Sequence, residues 1–316
     1  MSAGKRIPGT PDPMHHWTGV GGVKLAGDSW GDPNGPLILL QHGGGQTRHA
    51  WKGAGEVLGA AGYHAVALDA RGHGDSDWSE DGVYGQDIMV EDLLCVIEAL
   101  GGKRPVLVGA SMGGGTSLVA LGEDRIDATA LVLVDIAPRI EPEGVKKITG
   151  FMSYKPEGFN SLEEVAEAIG SYQPHRTAPK DLTGLAKNLR LADNGKYRWH
   201  WDPRFMNMRR DLKARKNRLE ACAKALNLPT LLVRGGLSDV LSEEGAQNFL
   251  EMCPHAEYVN VTGAGHMVAG DRNDVFSGAV VDFLSRTVPI TGDPVQTPHE
   301  THPHHEGPPG DINDIP

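Results

Sequence analysis

The chain has 316 residues, with 30 lysines and arginines against 41 aspartates and glutamates, a formal charge of −11. An acidic balance with no basic block argues against nucleic acid or an anionic membrane as partner. Hydrophobic residues at 39% and charged residues at 22% are ordinary globular composition, enough for one large α/β domain or two smaller ones. The three cysteines, Cys95, Cys222 and Cys253, are far apart and form no CxxC pair, which fits a reducing compartment without a disulfide framework. The opening residues, MSAGKRIPGTPDPMHHW, lack the apolar run of a signal peptide, and no segment reaches bilayer-spanning length. The expected location is the cytoplasm.

Residues 1–16 are rich in Pro and Gly and read as a loose arm. From Trp17 the pattern turns strand-like, with glycine-bearing turns. Residues 36–41, PLILLQ, form a short fully apolar strand, followed by the turn His42-Gly43-Gly44-Gly45 and a helix over about 47–61. YHAVALDA (63–70) is a further buried strand and ends in the loop RGHGDSD. Met89, Leu93, Val96, Ile97 and Leu100 then fall on one helical face, and Gly101-Gly102 stops that helix. Strands follow at Val106-Leu107-Val108 and at TALVLVDIA (129–137). Short apolar strands alternating with helices imply βαβ units and a parallel sheet covered on both faces.

After Pro138 the rhythm breaks. Residues 139–227 carry more charge and read as helices and loops, with a capping box from Ser161 to Glu164. This block is expected to be an insertion lying over the sheet. The rhythm resumes with the strand PTLLVRG (229–235), a helix from about Ser242, the strand AEYVNV (256–261) and a last helix turning Val275, Phe276, Ala279, Val280 and Phe283 inward. The layout is therefore an α/β core over 17–138 and 228–288, an insertion over 139–227 and a disordered Pro-, His- and acid-rich tail over 289–316.

The stretch PVLVGASMGGG places Ser111 between glycines at the end of a core strand and before a helix. Ligands of a parallel sheet gather at the carboxyl ends of its strands. A strand–GxSxG–helix turn exposes the serine hydroxyl beside a helix N-terminus that stabilises negative charge. A serine needs a base. His15 and His16 lie in the arm and His299, His302, His304 and His305 in the tail, whereas His266 lies just past the last strand, on the edge that carries Ser111. Asp239, after the strand at 229–235, is the expected partner of His266, with Asp135 as its rival, because the chain order serine, acid, histidine places the acid one strand before the histidine. Backbone N–H groups of Met112 and Gly44, with Gly45 as the alternative to Gly44, are the expected oxyanion donors. His42 beside that turn reads as a structural hydrogen-bonder rather than a second base.

These pieces together resemble the α/β-hydrolase fold over about residues 17–288. The resemblance rests on His42-Gly43-Gly44, Asp69-x-Arg71-Gly72-His73-Gly74-x-Ser76, Gly109-x-Ser111-x-Gly113, Asp239 and Gly265-His266. It is to the capped serine-hydrolase branch that includes bacterial esterases, cofactor-free haloperoxidases (perhydrolases), lactonases and carbon–carbon bond hydrolases. A serine at the elbow sets the chain apart from epoxide hydrolases and haloalkane dehalogenases, which carry aspartate there. The resemblance implies a mostly parallel eight-stranded sheet, helices on both faces and a helical cap inserted after the sixth strand. It implies no cofactor and no metal. Within YRWHWDPRF (197–205), Trp199 and Trp201 either line an apolar acyl or alkyl site or seal the cap to the core, and His200 and Arg204 read as structural.

The expected activity is hydrolysis of a small carboxylic ester or lactone through an acyl-enzyme. Perhydrolase and carbon–carbon bond hydrolase chemistry use the same triad, and a ligand-binding module that keeps hydrolase parts is the alternative outside catalysis. GAGEVLG (53–59) follows no strand and has the wrong spacing for a dinucleotide loop.

Overall fold

The computed structural model describes residues 4–172, 182–207, 211–271 and 273–290. Eleven strands run in chain order: β1 Lys5–Arg6, β2 His15–Thr18, β3 Lys24–Trp30, β4 Leu37–Gln41, β5 His64–Leu68, β6 Val106–Ala110, β7 Ala130–Val134, β8 Leu189–Leu191, β9 Tyr197–Trp199, β10 Thr230–Gly235 and β11 Glu257–Val261. The helices are α1 Lys52–Ala60, α2 Gln86–Ala99, α3 Met112–Gly122, α4 Pro142–Met152, α5 Leu162–Tyr172, α6 Leu212–Ala225, α7 Glu243–Met252, α8 Val268–Asp271 and α9 Asn273–Thr287.

Eight strands form one sheet in the order β11-β10-β7-β6-β4-β5-β3-β2, parallel except where β3 pairs with β5 and with β2. Apart from Gln41 and His64 at their ends, the central strands β4, β5, β6 and β7 are apolar because both of their faces are covered. One face packs Leu39, Leu107, Leu131 and Leu232 on α2, α3, α6 and α7, and the other packs Ile38, Val108, Val132 and Val233 on α1 and α9. In α9, Phe276, Val280 and Phe283 are buried, whereas Val275, expected inward, faces solvent. Among the described residues no helix is long and apolar enough to cross a membrane.

Three boundaries differ from the sequence reading. The N-terminal arm is not loose throughout: β1 pairs antiparallel with β8, Lys5 opposite Leu191, and β2 forms the edge of the main sheet. The insertion after β7, the sixth strand of the main sheet, is not wholly helical, since β8 and β9 form a hairpin that β1 extends to three strands. Nor does it run to residue 227, because α6 buries Leu219, Cys222 and Ala223 in the core. A Cβ on Gly122 of α3 would lie 2.3 Å from Cys222 Cβ, so these two helices touch backbone to backbone. Of the tail at 289–316, all but the first two residues lie outside the described residues.

The insertion is tied to the loop after β5. Asp75 accepts from Arg6 of the arm (3.0 Å), Arg48 of the core (2.9 Å) and Arg190 of the insertion (2.8 Å). Asp202 accepts the Tyr84 hydroxyl at 2.5 Å and donates its backbone N–H to Gly72 O at 2.9 Å.

Candidate active site

Ser111 occupies the turn between β6 and α3 with φ 46° and ψ −105°. A side chain in left-handed backbone is strained, and such strain persists only where the surroundings over-determine it. Here they do: Ser111 N–H donates to Val134 O at 3.2 Å, and Gly115 N–H donates to Ser111 O at 2.9 Å. The flanking glycines are steric requirements. A Cβ on Gly109 would lie 2.4 Å from Gly114 N, and one on Gly113 would lie 2.5 Å from Gln41 Cβ. Met112 opens α3, so its N–H is among the helix N-terminal donors that have no partner within the helix.

His266 follows β11, on the same edge of the sheet. Its Nδ1 lies 2.6 Å from Asp135 Oδ2. Asp135, the residue after β7, is fully buried, and its carboxylate also accepts Gly235 N–H at 2.8 Å and the Ser238 hydroxyl at 2.5 Å. Three donors on one carboxylate fix its orientation. The expectation for Asp239 is therefore corrected: its carboxylate meets Lys147 Nζ of α4 at 2.8 Å and is about half exposed. The loop after β10 turns Ser238 inward to Asp135 and the next residue outward to the insertion. Helix α4 packs closely there, since a Cβ on Gly144 would lie 2.1 Å from Asp239 O. The signal for Asp135 was in the sequence, as it follows ALVLV just as Ser111 follows VLVGA.

The turn after β4 is held by side chains on both sides. His42 Nδ1 donates to Gly43 O at 2.7 Å, and its Nε2 accepts Ala70 N–H at 3.0 Å, which is the structural role expected of it. Gly43 N–H donates to Gln46 Oε1 at 2.8 Å and Gln46 N–H donates to Gly43 O at 3.1 Å. Among the described residues no group accepts the Gly44 N–H. A Cβ on Gly43 would lie 3.3 Å from Ser111 Cβ, so the turn runs directly beside the elbow.

Behind this turn lie three buried imidazoles. His73 sits 5.3 Å from His42 and 5.8 Å from His200, centroid to centroid. Burial pushes all three below the ordinary histidine range, His73 to about 3 and His200 well down.

Phe205 and Met152 of the insertion come closest to the Gly44 backbone, with Phe205 Cε1 3.7 Å and Met152 Sδ 3.8 Å from where a Cβ would stand. Both were missed in the sequence, although Phe205 ends the distinctive YRWHWDPRF segment. Trp199 and Trp201 stack at 5.0 Å inside the insertion's own apolar cluster, against which Met112 packs. A cavity of about 40 Å³ lies behind Met112, between Gln41, His42, Met89, Leu93 and Thr116, on the core side of the elbow. Among the described residues no three His, Cys, Asp or Glu side chains are grouped to hold a metal ion.

The profile of the family described as serine aminopeptidase, S33, matches residues 32–273. The chain is 30% identical over 256 residues to the esterase Rv0045c of Mycobacterium tuberculosis, covering 77% of this chain and 80% of that protein. It is 26% identical over 261 residues to the 3-hydroxybutyrate-oligomer hydrolase of Cupriavidus necator, covering 77% and 87%. Among solved structures, E-2-(acetamidomethylene)succinate hydrolase superposes with a TM-score of 0.75 at 22% identity, over 86% of this chain and 98% of that one, a likeness of fold. The esterase Rv0045c superposes with a TM-score of 0.67 at 27% identity, over 87% and 93%. The chain belongs to the serine aminopeptidase S33 family of α/β hydrolases.

Proposed function

We propose that the protein is a serine hydrolase of small carboxylic esters or lactones, with Ser111 as nucleophile, His266 as base and Asp135 as the acid that orients it. The observation that carries this reading is the bond from His266 Nδ1 to the buried Asp135, beside a serine held in left-handed backbone at the neighbouring strand end. Nδ1–H donation to the carboxylate leaves Nε2 with a free electron pair for the Ser111 proton. Ser111 Oγ attacks the carbonyl carbon while Nε2 takes the proton, and the carbonyl oxygen becomes an oxyanion that Met112 and Gly44 N–H groups receive. Collapse of this adduct breaks the bond to the leaving alcohol, which takes the proton from His266. Water, deprotonated by the same imidazole, then releases the acid and frees Ser111.

The relatives named as an esterase and an oligomer hydrolase support an ester as substrate. So does the apolar cover that Phe205, Met152 and Met112 provide around the turn and elbow. The free state of Cys95, Cys222 and Cys253 suits a reducing compartment, and the cytoplasm is part of this proposal.

The test is labelling with a fluorophosphonate and peptide mapping, on wild type and Ser111→Ala, followed by rates on p-nitrophenyl esters, lactones and an aminoacyl p-nitroanilide. Label confined to Ser111 with ester or lactone turnover is the expected result. A folded wild type that takes no label would overturn the reading in favour of a binding module, and turnover of the anilide alone would move the substrate to a peptide.

A further inference from the structure

His200 belongs to the insertion, yet both its ring nitrogens reach into the core. Its Nδ1 accepts Gly74 N–H at 2.7 Å, and its Nε2 lies 3.3 Å from Gly45 O. Because Nδ1 accepts, the ring proton sits on Nε2 and points at the Gly45 carbonyl. The side chain is 1% exposed, and burial keeps the ring neutral.

Three consecutive glycines, 43–45, are costly to hold in one conformation, since glycine loses the most backbone freedom on ordering. Two imidazoles hold the carbonyls on either side of Gly44. His42 binds Gly43 O, and in a trans peptide the N–H of the next residue points away from that carbonyl. The Gly44 N–H is thereby directed away from His42. That hold leaves Gly45 able to swing, and Gly45 has φ +75°. His200 grips its carbonyl on the core side, while Met152 Sδ stands 3.3 Å from the place of a Gly45 Cβ on the insertion side.

We propose that His200 is a positioning residue: the insertion reaches through it to fix the Gly45 carbonyl, so the oxyanion turn is set only when the insertion is seated. This rests on the assignment of Gly44 as an oxyanion donor. Donor position decides transition-state stabilisation much more than ground-state binding, so loss of the His200 contact should fall on kcat rather than KM.

Two variants divide the roles of the ring. His200→Asn keeps an acceptor where Nδ1 meets Gly74 N–H and removes the donor to Gly45. His200→Gln keeps a donor at the reach of Nε2. For each, kcat and KM on a p-nitrophenyl ester, inhibition by a trifluoromethyl ketone, thermal midpoint and hydrogen exchange at 43–46 are measured. His200→Asn is expected to lower kcat by about 10- to 100-fold, with KM within about two-fold. Ketone inhibition should weaken by the same factor, and exchange at 43–46 should rise. His200→Gln should recover most of kcat and protect the turn.

An Asn variant with wild-type kcat, ketone affinity and exchange would overturn the proposal. So would equal loss in both variants with exchange at 43–46 unchanged. Should wild type leave Ser111 unlabelled while His200→Asn still loosens 43–46, the hydrolase reading alone falls and the hold on the turn stands.

Discussion

Ser111 and Asp135 stand side by side, each one residue beyond the paired Ala110 and Val134 at the ends of β6 and β7, and each in left-handed backbone with φ 46° and 51°. Two adjacent strands thus end in residues held at positive φ. One turn presents a hydroxyl, and the other a carboxylate that has Gly235 N–H, Ser238 and His266 on it. Strain of this kind concentrates at functional sites because surrounding bonds must hold it.

Removing the charge of Asp135 while keeping its shape should disarm His266. Asp135→Asn is expected to lower kcat by about 10³- to 10⁴-fold, the effect of a wrongly oriented and uncompensated imidazole. Asp239→Asn should stay within about three-fold, because it loses only a half-exposed pair with Lys147. Steady-state rates on one p-nitrophenyl ester separate the two; the reverse order would return Asp239 to the triad.

Ser238 links the loop after β10 to that carboxylate and also accepts Val240 and Leu241 N–H groups at 3.1 and 3.2 Å. Ser238→Ala removes one bond to a buried charge, and kcat should drop by about ten-fold or more. Fluorophosphonate labelling should slow in parallel. An unchanged labelling rate would mean that Gly235 N–H and His266 suffice to hold Asp135.

Acid should unfold this protein through its buried histidines. A histidine with lowered pKa in the folded state binds fewer protons there than when unfolded. The stability it contributes is complete above the ordinary value of 6.5 and is lost as pH falls from there toward the folded value. His49 is pushed to about 4 and His73 to about 3, and His42 and His200 are lowered by burial as well. Each proton so withheld tilts stability by about 1.4 kcal/mol per pH unit. Urea midpoints should fall steadily from pH 7 to pH 4.5, and His73→Phe should flatten the slope. A flat profile would contradict neutral burial of the cluster.

Glycines 44 and 113 should respond in opposite ways to alanine. On Gly113 a methyl group meets Gln41 at 2.5 Å, so the elbow must shift and Ser111 labelling should be lost together with stability. On Gly44 the methyl makes ordinary contact with Phe205 and Met152 at 3.7 and 3.8 Å. That variant should keep its thermal midpoint within a few degrees, and it should keep acetate esters while losing bulkier ones. Equal losses across ester sizes would place Phe205 and Met152 away from the substrate.

The parallel sheet and the places of Ser111 and His266 at its strand ends were legible because each is written locally: apolar runs of strand length, glycines around a serine, a histidine past the last strand. The carboxylate that meets His266 was not, because Asp135 and Asp239 both follow strands in the right order. The choice between them depends on which residue of the 236–241 loop turns inward, a matter settled by α4 packing from outside. His200 was read as structural because its partners, Gly45 and Gly74, are remote in sequence. Helix α6 was assigned to the insertion because its charged composition masks the few residues, Leu219, Cys222 and Ala223, that bind it to the core. Strand β1 is two residues long, too short for any period to register.

That short strand has a consequence for how the chain is made. Lys5 and Arg6 are synthesised well before their strand partners, Leu191 and Arg190, which are made only with the insertion. Until then this segment is an unpaired strand, and afterwards it covers the β8 edge, which would otherwise template a neighbouring molecule. A bulky group joined just before Lys5 therefore competes with this late pairing onto β8.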